Sequence, residues 1–564
     1  MCSTNCNYLP YCFLNSIYKN KNATKKSNVI LMADKTDKIF TNFKEHSVAE
    51  FFKKNKQMLG FAGKVRSLTT IVHEYVTNSI DACEEGGILP EITVRIAEIS
   101  KNERYTVAIQ DNGPGIPKKH LGKALGQMLA GTKFHRYAQQ RGQQGIGAAG
   151  CTMFAQITTG KPVKVVSEYR DKRLMCKVGV DIKTNSPDIT DEIEEENPQK
   201  AHGLFIEGEF GECKYERSAQ SPSEYIKRIA LANPHVTISL TEPSGETTTY
   251  TRSSEIVPAK PKEVLPHPLG LGVSDIVEMA HRDAKSRSIS KFLQSGFQRV
   301  SSARVDELKG LLDGRTEGLA PIDFEKKPPE MTWGEGEALI KAFAMVKWIA
   351  PAADCIRPIG AEQIQASLAN ILAPEFIAVT ERPPKIYKGG IPFLVEAAIA
   401  WGGQAGRRSS TNEIGSDIIR YANAAPLLFD TSGCSITQAV KDVDWKRYKM
   451  KNFEEEAISV FVNVASVHVP YTSAGKQALS QEEEVYQEIK NAVMEAARRL
   501  QLHLSGINKE RDQELRRSAI LRYVQQLSKD VVDLAGKGKA DEVNAKLQNL
   551  IETKYKSHIM GEDA

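Results

Sequence analysis

The sequence predicts an α+β multidomain chain whose first domain is a two-layer α/β sandwich. Its 564 residues correspond to three or four domains at roughly 150 residues each. Between residues 91 and 251, short alternating strand patterns are interleaved with helical stretches, as when helices pack on one mixed sheet. From residue 485 onward, apolar residues recur every three or four positions, which makes the last part of the chain helical.

Residues 1–42 form an extension unlike the rest. Cys2, Cys6 and Cys12 precede a polar, lysine-rich run from Lys19 to Lys26. Three thiols without a fourth ligand at usable spacing do not make a zinc site. A secretory signal would carry its positive charge before its apolar stretch, not after it. A flexible tail, or a start codon assigned upstream of Met32, is expected there. Residues 43–263 make the first domain. Ser47 and Glu50 have capping-box spacing for a helix containing Phe51 and Phe52. A second helix is expected over 64–83, closed by Gly86 and Gly87. Strands are expected over 91–98 and 105–110. Past a glycine-rich stretch from Gly113 to Gly150, more follow over 163–168, 173–181, 204–209, 236–240 and 247–251.

The proline-rich run 258–268 marks a boundary. Residues 264–350 read as short helices with turns at Gly310 and Gly314. In 351–505, strands are expected over 393–400, 427–429 and 458–469, alternating with helices. Val485, Ile489, Val493, Ala496, Leu500 and Leu504 then stripe one long helix. Residues 506–564 continue as charged, glycine-interrupted helix.

Composition narrows the function classes. Charged residues make 26% and hydrophobic ones 41%, enough for several ordinary cores. Lysine and arginine exceed aspartate and glutamate by 75 to 70, a mild excess that neither demands nor excludes nucleic acid. No apolar run approaches the ~20 residues a membrane span needs. Nine cysteines without a CxxC pair argue against a disulfide scaffold and for a cytosolic chain with reduced thiols.

At about 100° per residue, Glu74, Asn78 and Asp81 fall within roughly 60° of one another on a helix, opposite Val72, Val76 and Ile80. One face is core, and the other aligns two carboxylates with a carboxamide. Amphipathic helices commonly have such a solvated polar face. Asp111, Gly113 and Gly115 stand at a strand end. There an acid can accept from an amino group while glycines bend the backbone around a flat ligand. The same residue types also make ordinary turns. The run Gly142, Gln143, Gln144, Gly145, Ile146, Gly147, Ala148, Ala149 opens a helix whose N–H groups offer a phosphate cradle. Residues 145–150 fit G-x-G-x-x-G, but the polar residues 137–144 before them cannot be a buried parallel strand. Residues 126–133 resemble a P-loop with Thr132 and Lys133 in the wrong order.

The order E-x-x-x-N-x-x-D-A, D-x-G-x-G and glycine-rich loop resembles the GHKL (Bergerat) ATPase family of gyrase, mismatch-repair proteins, a heat-shock chaperone and histidine kinases. The resemblance implies ATP and Mg²⁺ as cofactors. It makes Glu74 the general base that activates water, Asn78 the residue that holds Mg²⁺, Asp81 a support for the helix face and Asp111 the contact to the adenine amino group. Residues 142–149 become the lid over the phosphates, with Thr132 and Lys133 just before it. The family's H-G-T box is His202-Gly203-Leu204 here, and leucine has no hydroxyl, so Leu204 is left out of the site.

A loop containing Lys476 follows a strand ending His468-Val469-Pro470. With the segments 392–403, 420–428 and 444–448, it resembles the B subunits of type IIB DNA topoisomerases, the topoisomerase VI family, from about Ser47 to Leu504. This implies a helix–two-turn–helix insert over 264–350 and a ribosomal-protein-like transducer domain over 351–505. Lys476 becomes a switch lysine that reports the γ-phosphate. It further implies self-dimerisation through the ATPase domain on ATP binding, an A2B2 heterotetramer with a DNA-cleaving A subunit, double-stranded DNA as substrate, and a nucleoid-associated location in the cytoplasm. The competing expectation is a GHKL clamp of chaperone or mismatch-repair type.

Overall fold

The structure, a computed structural model, describes residues 47–131, 137–142, 145–408, 413–473 and 475–560. Entry into α1 (Val48–Lys54) uses the reciprocal bonds of a capping box: Glu50 N donates to Ser47 Oγ at 3.1 Å, and Ser47 N to Glu50 Oε2 at 3.2 Å. Next comes α2 (Lys64–Gly86), then β1 (Glu91–Ser100), β2 (Arg104–Asp111), α3 (Lys118–Gly126) and α4 (Gly147–Thr159). They are followed by β3 (Val163–Tyr169), β4 (Lys172–Asp181), β5 (Ser186–Glu196), β6 (Gly203–Phe210), α5 (Pro222–Ala232), β7 (Thr237–Thr241) and β8 (Thr247–Tyr250).

The eight strands form one sheet in the order β5-β4-β3-β6-β2-β1-β7-β8, antiparallel except for the β1–β7 pair. Leu68, Val72, Val76 and Ile80 of α2 share a buried core with Val94, Val107 and Ile109 of the sheet, joined by Phe154 of α4 and Ile226 of α5. The sheet is thus half of a two-layer sandwich. Strand ends differ from the sequence expectation by one or two residues, but β5 is new. It is an edge strand, acidic and exposed along most of its length, so it carries no alternating apolar signal.

Next, α6 (Val273–Arg282), α7 (Ile289–Gly296), α8 (Ser302–Leu311) and α9 (Trp333–Met345) enclose their own core, with Ile276, Phe292, Leu308, Leu339 and Phe343 at its centre. Gly310 lies inside α8, so the turn expected there is absent, whereas Gly314 sits beyond the helix end.

The last region holds α10 (Ala361–Leu372), β9 (Phe376–Glu381), β10 (Lys385–Tyr387), β11 (Ile391–Trp401), a two-residue β12 (Arg407–Arg408) with β13 (Ile414–Gly415), β14 (Asp417–Ala422), β15 (Ala425–Pro426), α11 (Ser435–Lys441) and β16 (Ile458–Ser466). Its main sheet runs β10-β11-β16-β14-β15, with β9 also on β11 and a parallel β14–β16 pair. Nearly every residue of β11 and β16 is buried, as befits central strands covered on both faces. Residues 427–429 do not form the expected strand. They are buried coil after Pro426, and Leu428 and Phe429 enter the first domain's core, with the Arg66 guanidinium 4.6 Å above the Phe429 ring. Apolar residues at a domain junction imitate a strand in sequence.

The chain continues as α12 (Glu483–Ala535), 53 residues long, and α13 (Ala540–Met560). Val485, Ile489, Val493, Ala496 and Leu500 are buried against the second sheet, whereas most residues past 504 are exposed. The return helix packs on α12, where Arg517 meets Glu552 at 3.4 Å. Among the described residues, no helix is long and apolar enough to cross a membrane. Cys83, Cys151, Cys176, Cys213, Cys355 and Cys434 are buried free thiols.

Candidate active site

Helix α2 turns Val72, Val76 and Ile80 into the core and leaves Glu74, Asn78 and Asp81 on its other side, graded in exposure. Glu74 is half-buried, Asn78 exposed and Asp81 buried. The Glu74 carboxylate lies against Gly147, the first residue of α4. A Cβ there would fall 1.8 Å from Glu74 Oε2. Only glycine lets the acid approach the helix N-terminus, where the aligned peptide dipoles favour negative charge. The neighbouring His73 has its pKa lowered, chiefly by burial and further by Lys476, with Glu74 opposing.

Asp81 faces inward to a buried ion cluster. Arg141 Nη1 donates to Asp81 at 2.8 Å, and Nη2 donates to Glu84 at 2.8 Å and to Asn233 Oδ1 at 2.6 Å. Glu84 also meets His235 Nε2 at 3.0 Å and Arg357 Nη2 at 3.2 Å. Burial alone would raise the Glu84 carboxyl, but Arg141, His235 and Arg357 hold it well below the usual carboxylate range.

Asp111 ends β2 and is buried. It accepts from Ser79 Oγ at 2.6 Å, Gly113 N at 2.9 Å and Leu204 N at 3.2 Å. Burial nonetheless raises its pKa. Leucine at 204 thus contributes its backbone N–H to this carboxylate although it has no hydroxyl. Gly115 has φ 70°, and a Cβ there would meet the Glu168 carbonyl at 2.2 Å, so this position in the turn after Asp111 admits no side chain. His202 Nδ1 sits 2.7 Å from the Asn112 carbonyl and 3.1 Å from that of Gly113, and so braces the turn.

The glycine-rich run approaches the same helix face. A Cβ on Gly142 would stand 3.9 Å from Asn78 Oδ1 and 4.0 Å from Asp81 Oδ2. Gly145 and Ile146 lead into α4, which begins Gly147, Ala148, Ala149. Thr132, Lys133, Gln143 and Gln144 lie outside the described residues. Lys476 arrives from the second sheet domain, where its Nζ donates to the Arg141 carbonyl at 3.2 Å. The site therefore draws on both sheets. Ser79, Glu84, Arg141 and Asn423 are site neighbours that sequence reasoning did not single out.

The donor set suits a purine nucleotide. A carboxylate offers about four acceptor positions, and three on Asp111 are filled, leaving one for an exocyclic amino group. The N-terminus of α4 presents N–H groups to an anion. A helix carrying acid and amide, a strand-end aspartate and a glycine-rich helix start over one mixed sheet define a GHKL-type ATPase. In agreement, residues 63–191 match the family of histidine kinase-, DNA gyrase B- and HSP90-like ATPases, and residues 351–516 match the topoisomerase VI B subunit transducer. The type 2 DNA topoisomerase 6 B subunit of Pyrococcus horikoshii is 43% identical over 561 residues, spanning 93% of this chain and 97% of that one. Its counterpart in Methanothermobacter thermautotrophicus is 42% identical over 523 residues, spanning 92% and 97%. This chain belongs to the family of type 2 DNA topoisomerase 6 B subunits. Among solved structures, the ATPase region of Saccharomyces cerevisiae topoisomerase II aligns over 83% of this chain and 99% of that one. At 11% identity and a TM-score of 0.41, that likeness is too loose to carry weight.

Proposed function

We propose that this chain is the ATP-hydrolysing component of a type IIB DNA topoisomerase, in which nucleotide state gates passage of one duplex through another. The supporting observation is that Lys476, on the loop between β16 and α12 of the second sheet domain, meets the Arg141 carbonyl at the base of the first domain's glycine loop. Residues 43–263 act as the ATPase domain, 264–350 as the helix–two-turn–helix insert, 351–505 as the transducer and 506–564 as a helical tail. Glu74 takes the proton of an attacking water, Asp111 and its glycines seat the adenine, and residues 142–149 close over the phosphates. Thr132 and Lys133 precede that lid in the sequence.

Mg²⁺, when bound, would neutralise phosphate charge, and Asn78 is the residue that would hold it. Among the described residues there is no group of three or more His, Cys, Asp or Glu that could hold a metal ion. Lys476 is a point charge placed to register whether the terminal phosphate is present, and its loss frees the transducer to rotate. Two such chains pair through their ATPase domains on binding ATP. With two A-type subunits, which cut the DNA, they make an A2B2 assembly working in the cytoplasm on nucleoid DNA.

The experiment is relaxation of supercoiled plasmid by this chain with and without a matched A-type subunit and ATP. Activity that needs all three supports the proposal. ATP hydrolysis without relaxation, even with the partner, moves the reading to a chaperone- or repair-type clamp. In either setting Glu74→Ala retains ATP-driven dimerisation and loses turnover.

A further inference from the structure

The segment 137–141, which leads into Gly142, is bonded on both sides. Toward the second sheet domain, Gln139 N donates to the Cys355 carbonyl at 2.8 Å, and the Gln139 side chain accepts from Arg357 N at 2.6 Å. Asn423 Nδ2 donates to the Gln140 carbonyl at 2.9 Å, and Lys476 Nζ to that of Arg141 at 3.2 Å. Toward the first domain, the Arg141 guanidinium is buried among Asp81, Glu84 and Asn233.

Asn423 is fixed before it meets Gln140. It is buried, takes φ 51°, accepts from Ser466 N at 2.9 Å and donates to the Ser466 carbonyl at 3.0 Å. Arg141 thus has its backbone carbonyl bonded to one domain and its side chain to the other. A rotation of the second sheet domain against the first must either break these bonds or move the segment, and the next residue is Gly142, beside Asn78.

We propose that residues 137–141 are a tether by which the second sheet domain sets the position of the nucleotide lid, with Arg141 as the positioning residue. The inference rests on the nucleotide-site reading above. The lid base is then coupled to the transducer through main-chain bonds as well as through the lysine–phosphate contact. The planar fork of Arg141 carries the anchor, because it reaches Asp81 and Glu84 from two separate nitrogens, whereas a lysine has all its donors on one. Glu84, which also takes Arg357, ties the anchor to the second domain.

The test is hydrogen exchange of the full chain, with and without an imido analogue of ATP and MgCl₂, for the wild type, Arg141→Lys and Gln139→Met. In the wild type the analogue slows exchange both in α4 and in residues 351–360. In the variants the slowing in α4 persists, at analogue concentrations roughly three- to tenfold higher, while the response of 351–360 falls by half or more. A variant response at 351–360 equal to the wild type's overturns the tether, as does a wild type whose α4 responds while 351–360 does not. A wild-type α4 that ignores the analogue sinks the nucleotide-site reading itself, and the tether with it. If Arg141→Lys no longer melts cooperatively, Gln139→Met decides, because it removes only the acceptor of Arg357 N and leaves the ion cluster in place.

Discussion

Glu74 and Gly147 are in contact across two elements: the carboxylate of α2 occupies the space that a side chain on the first residue of α4 would fill, 1.8 Å from the nearest oxygen. Gly147→Ala is therefore a probe of Glu74. Gly147 is the first residue of the helix, where alanine is at least as well tolerated as glycine, and the displaced atom is the far end of a flexible side chain, so the fold survives. The acid is pushed off its position, and a 1 Å misplacement can cost on the order of 10²-fold. ATP turnover should fall by about that factor with the melting temperature nearly unchanged. Turnover within twofold of wild type would remove Glu74 from the chemistry.

Ser79→Ala strips the 2.6 Å donor from Asp111. A buried carboxylate that loses one of three bonds is costlier to ionise, so affinity for the adenine base should weaken several-fold. This should appear as a higher KM for ATP with little change in kcat, and stability should drop by about 1 kcal/mol. Steady-state kinetics separate the two effects. A fall in kcat alone would contradict a base-binding role.

Lys476→Ala should leave nucleotide affinity within about threefold, because Asp111, the proposed adenine contact, is untouched. Plasmid relaxation with the partner should drop at least tenfold, since the proposed charge contact to the terminal phosphate is lost. Equal losses in binding and in relaxation would argue that the lysine anchors the ligand and does not report on it.

Glu396 makes stability pH-dependent near neutrality. It is a fully buried residue of β11 and accepts from Gly360 N at 2.7 Å, Asn463 Nδ2 at 2.8 Å and Ile359 N at 3.1 Å. Burial still pushes its pKa from 4.5 up to about 7. Because the folded value exceeds the unfolded one, its contribution is full below about pH 4.5 and is lost as pH rises through 7, by up to about 3 kcal/mol. Melting scans should show lower stability at pH 8 than at pH 5.5, and Glu396→Gln should remove that slope. A slope unchanged in the variant would assign it to other groups.

Local signals were legible, and distant pairings were not. The Ser47–Glu50 cap, the apolar side of α2 and the stripe of α12 all follow from spacing within one helix. Asp111, Gly113 and Gly115 stand out because turn chemistry is local too. Arg141 was visible only as the residue before a glycine, since its partners Asp81 and Glu84 lie 60 and 57 positions away. Asn423 meets Gln140 across 283 positions. Ser79 points away from the face that its neighbour Asn78 shares, so a one-face view of α2 passes over it. The acidic β5 escaped because an exposed edge strand needs no apolar alternation, and 427–429 misled because apolar coil between two cores has the composition of a strand.

The unequal burial of α12 has a mechanical consequence. At 1.5 Å per residue the helix is about 80 Å long, and roughly 45 Å of it lies past residue 504, away from the sheet that grips its first turns. A tilt of about 10° at the gripped end would sweep the far end through about 8 Å, wider than one helical turn. The antiparallel α13 stiffens the shaft, so the tilt is delivered and not lost in bending. A small change in angle beside the sheet thus becomes, at the far end of α12, a displacement several times larger than the one that caused it.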